Sequence, residues 1–324
     1  MNLVDALVLK GIQGVGDGSI TKILDFTSRN NINSLEELAK FGIQNLPLTK
    51  ISLSLREFLL AGQYECERLK TKEDLQTWTE LGITVTHRSN SKYPRHLLDL
   101  MHPPPFLFCR GNISLLEDTR AIAVVGTRNN STKGAVITQK TIKEFHKRNF
   151  IIVSGLALGI DSLAHKAALE CGAPTIAVLV DVLNIYPLKN QVLADEILKN
   201  DGLLLSENIP GTSTIAALFA KRDRIQAGLS SAVFAIETSM VGGTMFAVRA
   251  AREMGRPVFV PDAKAAKYND LSLDVIQGTQ YLAENGEARA YSNILYDKIT
   301  EELESISHKL KSFGLNEAQE ELHL

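Results

Sequence analysis

From residue 121 onward, short apolar runs alternate along the chain with longer amphipathic segments. Apolar runs of four or five residues are typical of strands buried on both faces of a sheet, and the segments between them have the spacing of crossover helices. The strands predicted in this way are 121–125, 150–153, 175–179, 203–205, 232–236 and 257–260. The predicted helices are 133–148, 160–171, 190–200, 216–228 and 243–255. This alternation predicts an α/β fold with a Rossmann-like, doubly wound and mostly parallel sheet.

The hydrophobic pattern of the first 88 residues is helical rather than alternating. Breaks at residues 30–33 and at Pro47 divide this region into short helices, which predicts a small all-helical domain over 1–88. Its apolar positions recur at Leu3, Leu7, Ile12, Ile20, Ile23, Leu24, Leu35 and Leu38. Within it, residues 9–16 (LKGIQGVG) have the pattern of a helix-hairpin-helix turn, although glycines also end helices for purely structural reasons.

The segments on either side of the strand and helix alternation have different patterns. Residues 89–115 carry Tyr93-Pro94 and three consecutive prolines at 103–105, which predicts a stiff connector at the start of an α/β domain covering 89–290. The tail, 291–324, has apolar residues at helical spacing between charged ones, which predicts a C-terminal helix. We find no internal repeat and no low-complexity tract.

Composition excludes several classes of protein. The 324 residues include 35 Lys and Arg against 37 Asp and Glu, so any positive surface for a nucleic acid must be local. Three dispersed cysteines form no zinc motif, and we expect no metal and no cofactor. No run of eighteen apolar residues and no signal-peptide pattern occurs, so we expect a cytoplasmic protein with no membrane contact.

The carboxyl edge of a parallel sheet is where ligands bind, because loops and helix N-termini converge there. The first predicted strand ends in Gly126, Thr127 and Arg128, a turn with a hydroxyl and a guanidinium that suit a phosphate. The alternative is a capped turn with Arg128 in solvent. The fifth strand leads to Gly243 and Thr244, another glycine-opened helix start that could accept an anion.

The second strand leads through Ser154, Gly155 and Gly159 into a helix, another loop of small residues that favours an anion. The loop matches neither a dinucleotide fingerprint nor a Walker A sequence. Asp161 and His165 follow, four residues apart on one helix face. They could be an acid and base pair or two metal ligands, but a structural role in which the carboxylate holds the histidine is favoured, because two groups are too few for a metal site.

The densest basic cluster of the chain consists of Lys221, Arg222 and Arg224, with Phe219 just before it. Lys and Arg at the ligand edge could neutralise phosphates, and the phenyl ring could stack on a base. A solvated helix face would explain the charges almost as well. It would not explain why an aromatic residue lies beside them.

Three of these segments together resemble the motifs of the DprA/Smf family. The family motifs are G-[ST]-R, S-G-x-A-x-G-I-D-x-x-A-H and R-[ND]-R-I-x-A-G-L-S, and they match residues 126–128, 154–165 and 222–230. Weaker similarity extends the resemblance over most of 90–262 and includes Ile185-Tyr186-Pro187. The middle motif is long and specific.

The resemblance implies a homodimer that binds single-stranded DNA without sequence preference, does no chemistry on it, acts in natural transformation and helps to load RecA recombinase. By this analogy Arg128, Lys221, Arg222 and Arg224 contact phosphates, and Phe219 stacks on a base. The sequence also departs from the family. Asp223 replaces the usual Asn, residues 240–244 differ from the usual S-G-S-L, and the tail does not resemble a winged helix.

Two other functions remain open at this stage. Gly242-Gly243-Thr244 is similar to the P-G-G-x-G-T loop of LOG phosphoribohydrolases, which would imply a nucleotide-processing or nucleotide-sensing protein. Against this, Met245, Phe246 and Ala247 stand where those enzymes need a glutamate. The third possibility is a sensor or adaptor encoded in a mobile or defence-linked operon.

Overall fold

The computed structural model describes residues 1–265 and 275–320, without the side chains of 313–320. The chain forms two compact units. The first contains Met1–Tyr93 and His102–Phe108, and the second contains Pro94–Met101 and Cys109–Leu324.

The first unit is mainly helical, as the spacing of its apolar residues predicts. Its helices are α1 (Leu3–Gly11), α2 (Asp17–Arg29), α3 (Leu35–Phe41), α4 (Leu53–Ala61) and α5 (Glu65–Glu80). The side chains of Asn2, Ser34 and Ser52 cap α1, α3 and α4. The apolar residues Leu9, Ile20 and Leu35 are fully buried, which accounts for the periodicity seen in the sequence.

The first unit also contains a strand that the sequence analysis did not predict. β1 (Ile83–His87) follows α5, and β2 (Phe106–Gly111) begins in this unit. The β1 segment, ITVTH, alternates β-branched residues, a pattern that favours a strand. Part of the predicted proline-rich connector is therefore extended strand, and another part is a 3-10 helix at Arg95–Asp99.

The second unit contains the predicted parallel sheet. Its strands are β3 (Ala121–Val125), β4 (Ile151–Ser154), β5 (Thr175–Val178), β6 (Leu203–Ser206), β7 (Ala232–Ala235), β8 (Val258–Pro261) and β9 (Arg289–Tyr291). They lie in the order β6-β5-β4-β3-β7-β8-β9, and each neighbouring pair is parallel. The Rossmann-like α/β class is confirmed. β9 is an additional strand of three residues.

Helices connect these strands. They are α6 (Thr132–His146), α7 (Ile160–Cys171), α8 (Gln191–Lys199), α9 (Ala216–Gly228), α10 (Thr244–Glu253), α11 (Gln277–Glu284) and α12 (Tyr296–Glu320). The predicted bounds of α7 and α9 agree with those observed. The core beside the sheet contains Phe145, Phe150 and Phe234, and α12 packs Ile299 and Leu303 against it.

The order of the strands reverses at β3. From β3 the chain continues through β4, β5 and β6 on one side, and it then returns to place β7 on the other side. In open parallel sheets this reversal separates the loops at the carboxyl edge and leaves a crevice in which ligands bind. The fold therefore directs attention to the loops that follow β3 and β7.

Candidate functional site

A cavity of about 400 Å³ lies at this reversal point. The loop after β3, the first turn of α7, one face of α9 and the start of α10 form its walls. Its lining includes these predicted site residues: Gly126, Thr127, Arg128, Asp161, Phe219, Arg222, Gly243 and Thr244. Residues from four distant parts of the sequence thus meet in one place.

The Gly126–Arg128 loop is held by backbone hydrogen bonds at both sides. The Thr127 amide donates to the Glu237 carbonyl at 2.7 Å, and the Ile160 amide donates to the Thr127 carbonyl at 3.2 Å. The Arg128 side chain is exposed, and its guanidinium carbon lies 6.0 Å from the centre of the Phe219 ring. The cation is therefore positioned beside an aromatic ring at the cavity wall.

A carboxylate of the protein itself lies at the N-terminus of α6. The buried Glu237 carboxylate accepts hydrogen bonds from the Ser131 amide at 2.8 Å and from the Ser131 hydroxyl. Ser131 Oγ in turn accepts a hydrogen bond from the Gly134 amide at 3.0 Å. Because a carboxylate already occupies this helix N-terminus, the helix that follows the Gly126–Arg128 loop does not offer the anion site that its sequence suggests.

Replacing Glu237 with glutamine should lower the free energy of unfolding by about 1 to 3 kcal/mol, because one charge-assisted hydrogen bond to Ser131 is lost within the protein interior. Urea denaturation measures this change. Glu253→Gln is the matched control, since Glu253 is exposed at the end of α10 and its replacement should change stability by less than about 0.5 kcal/mol. Equal stability of the two variants would contradict this role for Glu237.

Three predicted residues of the second loop shape the site from behind the cavity wall. Ser154 is fully buried, and its hydroxyl donates to the Val124 carbonyl at 2.7 Å. At Gly155, a β-carbon would lie 1.6 Å from Nη1 of Arg222, and at Gly159 it would lie 2.3 Å from the Thr127 carbonyl oxygen. The small residues therefore allow a side chain and a neighbouring loop to approach the backbone closely.

Asp161 and His165 do not form the pair that their spacing suggests. Asp161 faces the cavity, whereas His165 is fully buried and its Nδ1 lies 2.8 Å from the Thr175 hydroxyl. Burial, together with the nearby Arg222 cation, lowers the pKa of His165 to about 3, so this imidazole stays neutral. The interpretation that the carboxylate holds the histidine was wrong, because Thr175 takes that position. Among the described residues, no group of three His, Cys, Asp or Glu side chains could hold a metal.

Arg222 is the buried cation of the cavity. Its side chain is 5% exposed, and its Nε lies 3.2 Å from a carboxylate oxygen of Asp223. Even so, neither Nε nor Nη1 makes a hydrogen bond within the described structure. Unused donors on a buried guanidinium are costly unless a ligand engages the group. Nε faces Asp223 and Nη1 faces the backbone of Gly155, so Arg222 contributes a buried positive charge to the wall of the cavity.

The other two members of the basic cluster lie outside the cavity lining. Both nitrogens at the tip of Arg224 bond to the buried Glu207 carboxylate, at 2.7 and 2.8 Å. Lys221 Nζ also lies 3.3 Å from Glu207. A carboxylate after β6 thus neutralises part of the charge that the sequence presents as one basic patch, and the proposed phosphate contacts of Lys221 and Arg224 stay predictions.

The start of α10 opens directly onto the cavity. Gly243 and Thr244 line it, and no side chain caps this helix. The nearest group to a β-carbon built on Gly243 would be Oδ2 of Asp223, at 3.6 Å. This helix start therefore retains the character of an anion site, although an acid lies close to it.

Two cationic and two acidic side chains therefore face the cavity. Arg128 and Arg222 supply the cations, and Asp161 and Asp223 supply the acids. Burial raises the pKa of Asp161 to about 6, and burial also raises the pKa of Asp223 although Arg222 opposes it. The positive character of the cavity consequently depends on how far these two acids are ionised.

Sequence reasoning missed several residues of this site. Gln226 and Phe246 also line the cavity, and Glu237 supports it from beneath the α6 start. The available signal for Glu237 was its place directly after a buried strand at the carboxyl edge. Phe246 gave a weaker signal, as a large apolar residue in the first turn of a glycine-opened helix.

Comparison with known proteins gives a consistent result. The family model of DNA recombination-mediator protein A matches residues 84–304. The chain is 36% identical over 205 residues to DNA processing protein DprA of Bacillus subtilis, covering 63% of this chain and 69% of the relative. It is 39% identical over 197 residues to the Streptococcus pneumoniae protein of the same name, covering 60% and 69%.

Two solved structures are similar to this chain. The structure of DprA from Streptococcus pneumoniae superposes with a TM-score of 0.68 and 29% identity, covering 88% of this chain and 98% of that one. The second is DNA processing protein A from Helicobacter pylori, whose structure is described as showing a single-stranded DNA binding mode. It superposes with a TM-score of 0.58 and 28% identity, covering 69% and 96%.

Proposed function

This chain belongs to the DNA recombination-mediator protein A family, and from that premise we propose that it binds single-stranded DNA in the cavity between β3 and β7. The observation that carries the proposal is that one cavity brings together the cations of Arg128 and Arg222, the aromatic ring of Phe219 and the uncapped start of α10. Cations suit the phosphates of a strand, and the partly exposed ring of Phe219, which also contacts Tyr186, suits an unpaired base.

The finer properties that the family resemblance implies are part of this proposal. We infer that binding is independent of sequence, that the protein does no chemistry on the DNA, and that it acts as a homodimer in natural transformation and RecA loading. The single-stranded DNA binding mode described for the Helicobacter pylori relative supports the ligand class. The nucleotide-processing alternative gains no support at α10, because the helix continues from Thr244 with Met245, Phe246 and Ala247 and supplies no carboxylate there.

Fluorescence anisotropy with labelled oligo-dT and with a duplex of equal length tests the proposal. The protein should bind the single strand more tightly than the duplex. The logarithm of its association constant should fall linearly with the logarithm of the salt concentration, with a slope of roughly −0.7 for each phosphate neutralised. The absence of oligo-dT binding at low salt would refute the proposal. Release of a free base from a nucleoside monophosphate would refute the non-catalytic part.

Replacing Asp223 with asparagine should strengthen oligo-dT binding by about threefold to tenfold, because a negative charge beside Arg222 is removed. Asparagine can still accept the 2.8 Å hydrogen bond from Gln226, so the fold should be retained. Asp195→Asn, an exposed acid on α8, makes the same change in net charge and should leave affinity unchanged. Unchanged or weaker binding by the Asp223 variant would contradict this role.

Oligo-dT binding should also strengthen as the pH falls from about 7.5 to 5.5. The folded-state pKa of Asp161 is raised to about 6, so this carboxyl group gains a proton in that interval, whereas DNA phosphodiesters do not titrate there. The charged groups facing Asp161 are Arg222 and Asp223, and the pKa of Asp223 is also raised. Anisotropy at constant ionic strength measures the effect. Asp161→Asn should flatten the pH profile, and a profile like that of the wild type would exclude Asp161 as its source.

A further inference from the structure

A second pair of an arginine and an aromatic ring lies beside the cavity. The guanidinium carbon of Arg249 is 5.9 Å from the centre of the Phe246 ring, nearly the same as the 6.0 Å between Arg128 and Phe219. Phe246 and Phe219 both line the cavity. One pair is on α10 and the other joins α9 to the loop after β3, so the two pairs come from different walls.

Phe246 is unusually accessible for a phenylalanine in the first turn of a helix. It is 45% exposed, whereas Ala247, Val248 and Ala251 on the same helix are buried. Burial of the α10 helix against the sheet therefore does not require a large apolar side chain at position 246. Nearly half of the Phe246 side chain is therefore accessible to a ligand, and base stacking requires such an accessible ring.

The loop before α10 extends this accessible apolar surface. Met240 is 43% exposed and Val241 is 96% exposed, and they lie between the cavity-lining residues Ser239 and Gly242. We call Met240, Val241 and Phe246 the apolar rim. Exposed apolar residues grouped at the mouth of a polar cavity indicate a surface that contacts a ligand.

We propose that the apolar rim and Arg249 form a second base-binding subsite, which holds another unpaired base of the same DNA strand that occupies the cavity. Phe246 stacks on the base, Met240 and Val241 contact its edges, and Arg249 neutralises a neighbouring phosphate. This inference rests on the proposed function. It adds that the chain has two stacking platforms rather than one, and that the second platform discriminates between single-stranded and duplex DNA.

The combination of cation and ring favours a nucleic-acid strand over another protein as the occupant. A single strand alternates phosphates with accessible base faces, and the two pairs, Arg128 with Phe219 and Arg249 with Phe246, present the complementary groups on the two walls. Bases in a duplex are stacked on each other and have no free face for Phe246. Stacking also tolerates every base, which agrees with binding that is independent of sequence.

Fluorescence anisotropy tests the subsite. Binding of oligo-dT and of the duplex is measured for three variants: Phe246→Ala, Phe246→Trp and Tyr281→Ala. Phe246→Ala should weaken oligo-dT binding by about 5- to 50-fold and leave the weaker duplex binding unchanged. Phe246→Trp should retain the affinity, and its added indole fluorescence should be quenched by oligo-dT. Tyr281→Ala removes another partly exposed aromatic side chain, which lies outside the cavity lining, and should bind as wild type does.

The results separate this inference from the proposed function. If wild-type protein binds oligo-dT and Phe246→Ala binds equally well, or if the tryptophan is not quenched, the subsite does not exist although the main proposal stands. If wild-type protein fails to bind oligo-dT, the proposed function is refuted, and the subsite inference that rests on it is refuted with it. Light scattering identifies the competing occupant, because loss of a dimer in Phe246→Ala with unchanged DNA affinity would make the apolar rim a contact between copies of the chain.

Discussion

Replacing Arg128 with alanine is expected to weaken oligo-dT binding by about 10- to 100-fold, with little change in thermal stability. Arg128 is exposed at the cavity mouth and its guanidinium carbon lies 6.0 Å from the centre of the Phe219 ring, so under the proposed function its loss removes both a phosphate contact and the cation beside the ring. A change of this size corresponds to about 1.4 to 2.8 kcal/mol of binding free energy. Anisotropy titrations at several salt concentrations measure it.

The salt dependence distinguishes a phosphate contact from an indirect effect. In the Arg128→Ala variant the logarithmic salt slope should become shallower by roughly 0.7, the value for one phosphate of a single strand. Lys147→Ala is the control, because Lys147 is an exposed cation at the end of α6 that pairs with Glu144 and lies outside the cavity lining. An Arg128 variant with wild-type affinity, or with reduced affinity and an unchanged slope, would remove this residue from the DNA contacts.

Arg128→Lys should give an intermediate result. Lysine keeps the charge but lacks the planar fork that can bond two phosphate oxygens and stack on Phe219. If charge alone mattered, lysine would restore full binding. A partial recovery would assign the remainder to the geometry of the guanidinium.

Much of this fold could be predicted because its signals are local. Apolar runs identify β3 to β8, since strands of a doubly covered sheet must be apolar on both faces. The glycine-flanked loop before α7 identifies a close approach of backbones, and Gly159 does contact the preceding loop. β9 was missed because a strand of three residues, two of them exposed, has no detectable period.

The details of the site could not be predicted because they depend on contacts between distant residues. Glu237 bonds to Ser131 across 106 positions, and Glu207 bonds to Arg224 across 17. The spacing of hydrophobic residues along the sequence contains no information about such pairs. The sequence therefore suggests a basic cluster that spans residues 221–224, whereas the structure places Arg222 in the cavity and Arg224 against a carboxylate.

Asp223 is a residue for which the sequence and the structure each supply part of the interpretation. The sequence identifies it as a departure from the family pattern, and the structure places its carboxylate beside Arg222 and close to the α10 start. A reduced affinity for DNA phosphates is the expected consequence. Protonation of Asp161 and Asp223 would restore part of the positive charge, and for this reason we expect the proposed DNA binding to depend on pH.

Replacing Gly159 with alanine is expected to lower the free energy of unfolding by roughly 3 to 6 kcal/mol, the largest effect on stability that we predict for a single methyl group. Gly159 has φ +80° and ψ −131°, a conformation that residues with a side chain rarely adopt. The added β-carbon would also lie 2.3 Å from the Thr127 carbonyl oxygen and 2.6 Å from that of Arg128. Both contacts are with backbone, so no side chain can rotate away to relieve them.

Gly172→Ala measures the cost of a positive φ without crowding. Gly172 ends the same helix, α7, with φ +75°, but nothing lies within 4 Å of an added β-carbon. Its replacement should cost only the strain of the left-handed conformation, about 1 to 2 kcal/mol. Urea denaturation of both variants measures the difference, which combines the crowding at Gly159 with its ψ of −131°, against +21° at Gly172. Equal losses would show that neither contributes. Because relief of that crowding must displace the Thr127 and Arg128 backbone, surviving Gly159→Ala protein should also bind oligo-dT more weakly than Gly172→Ala does.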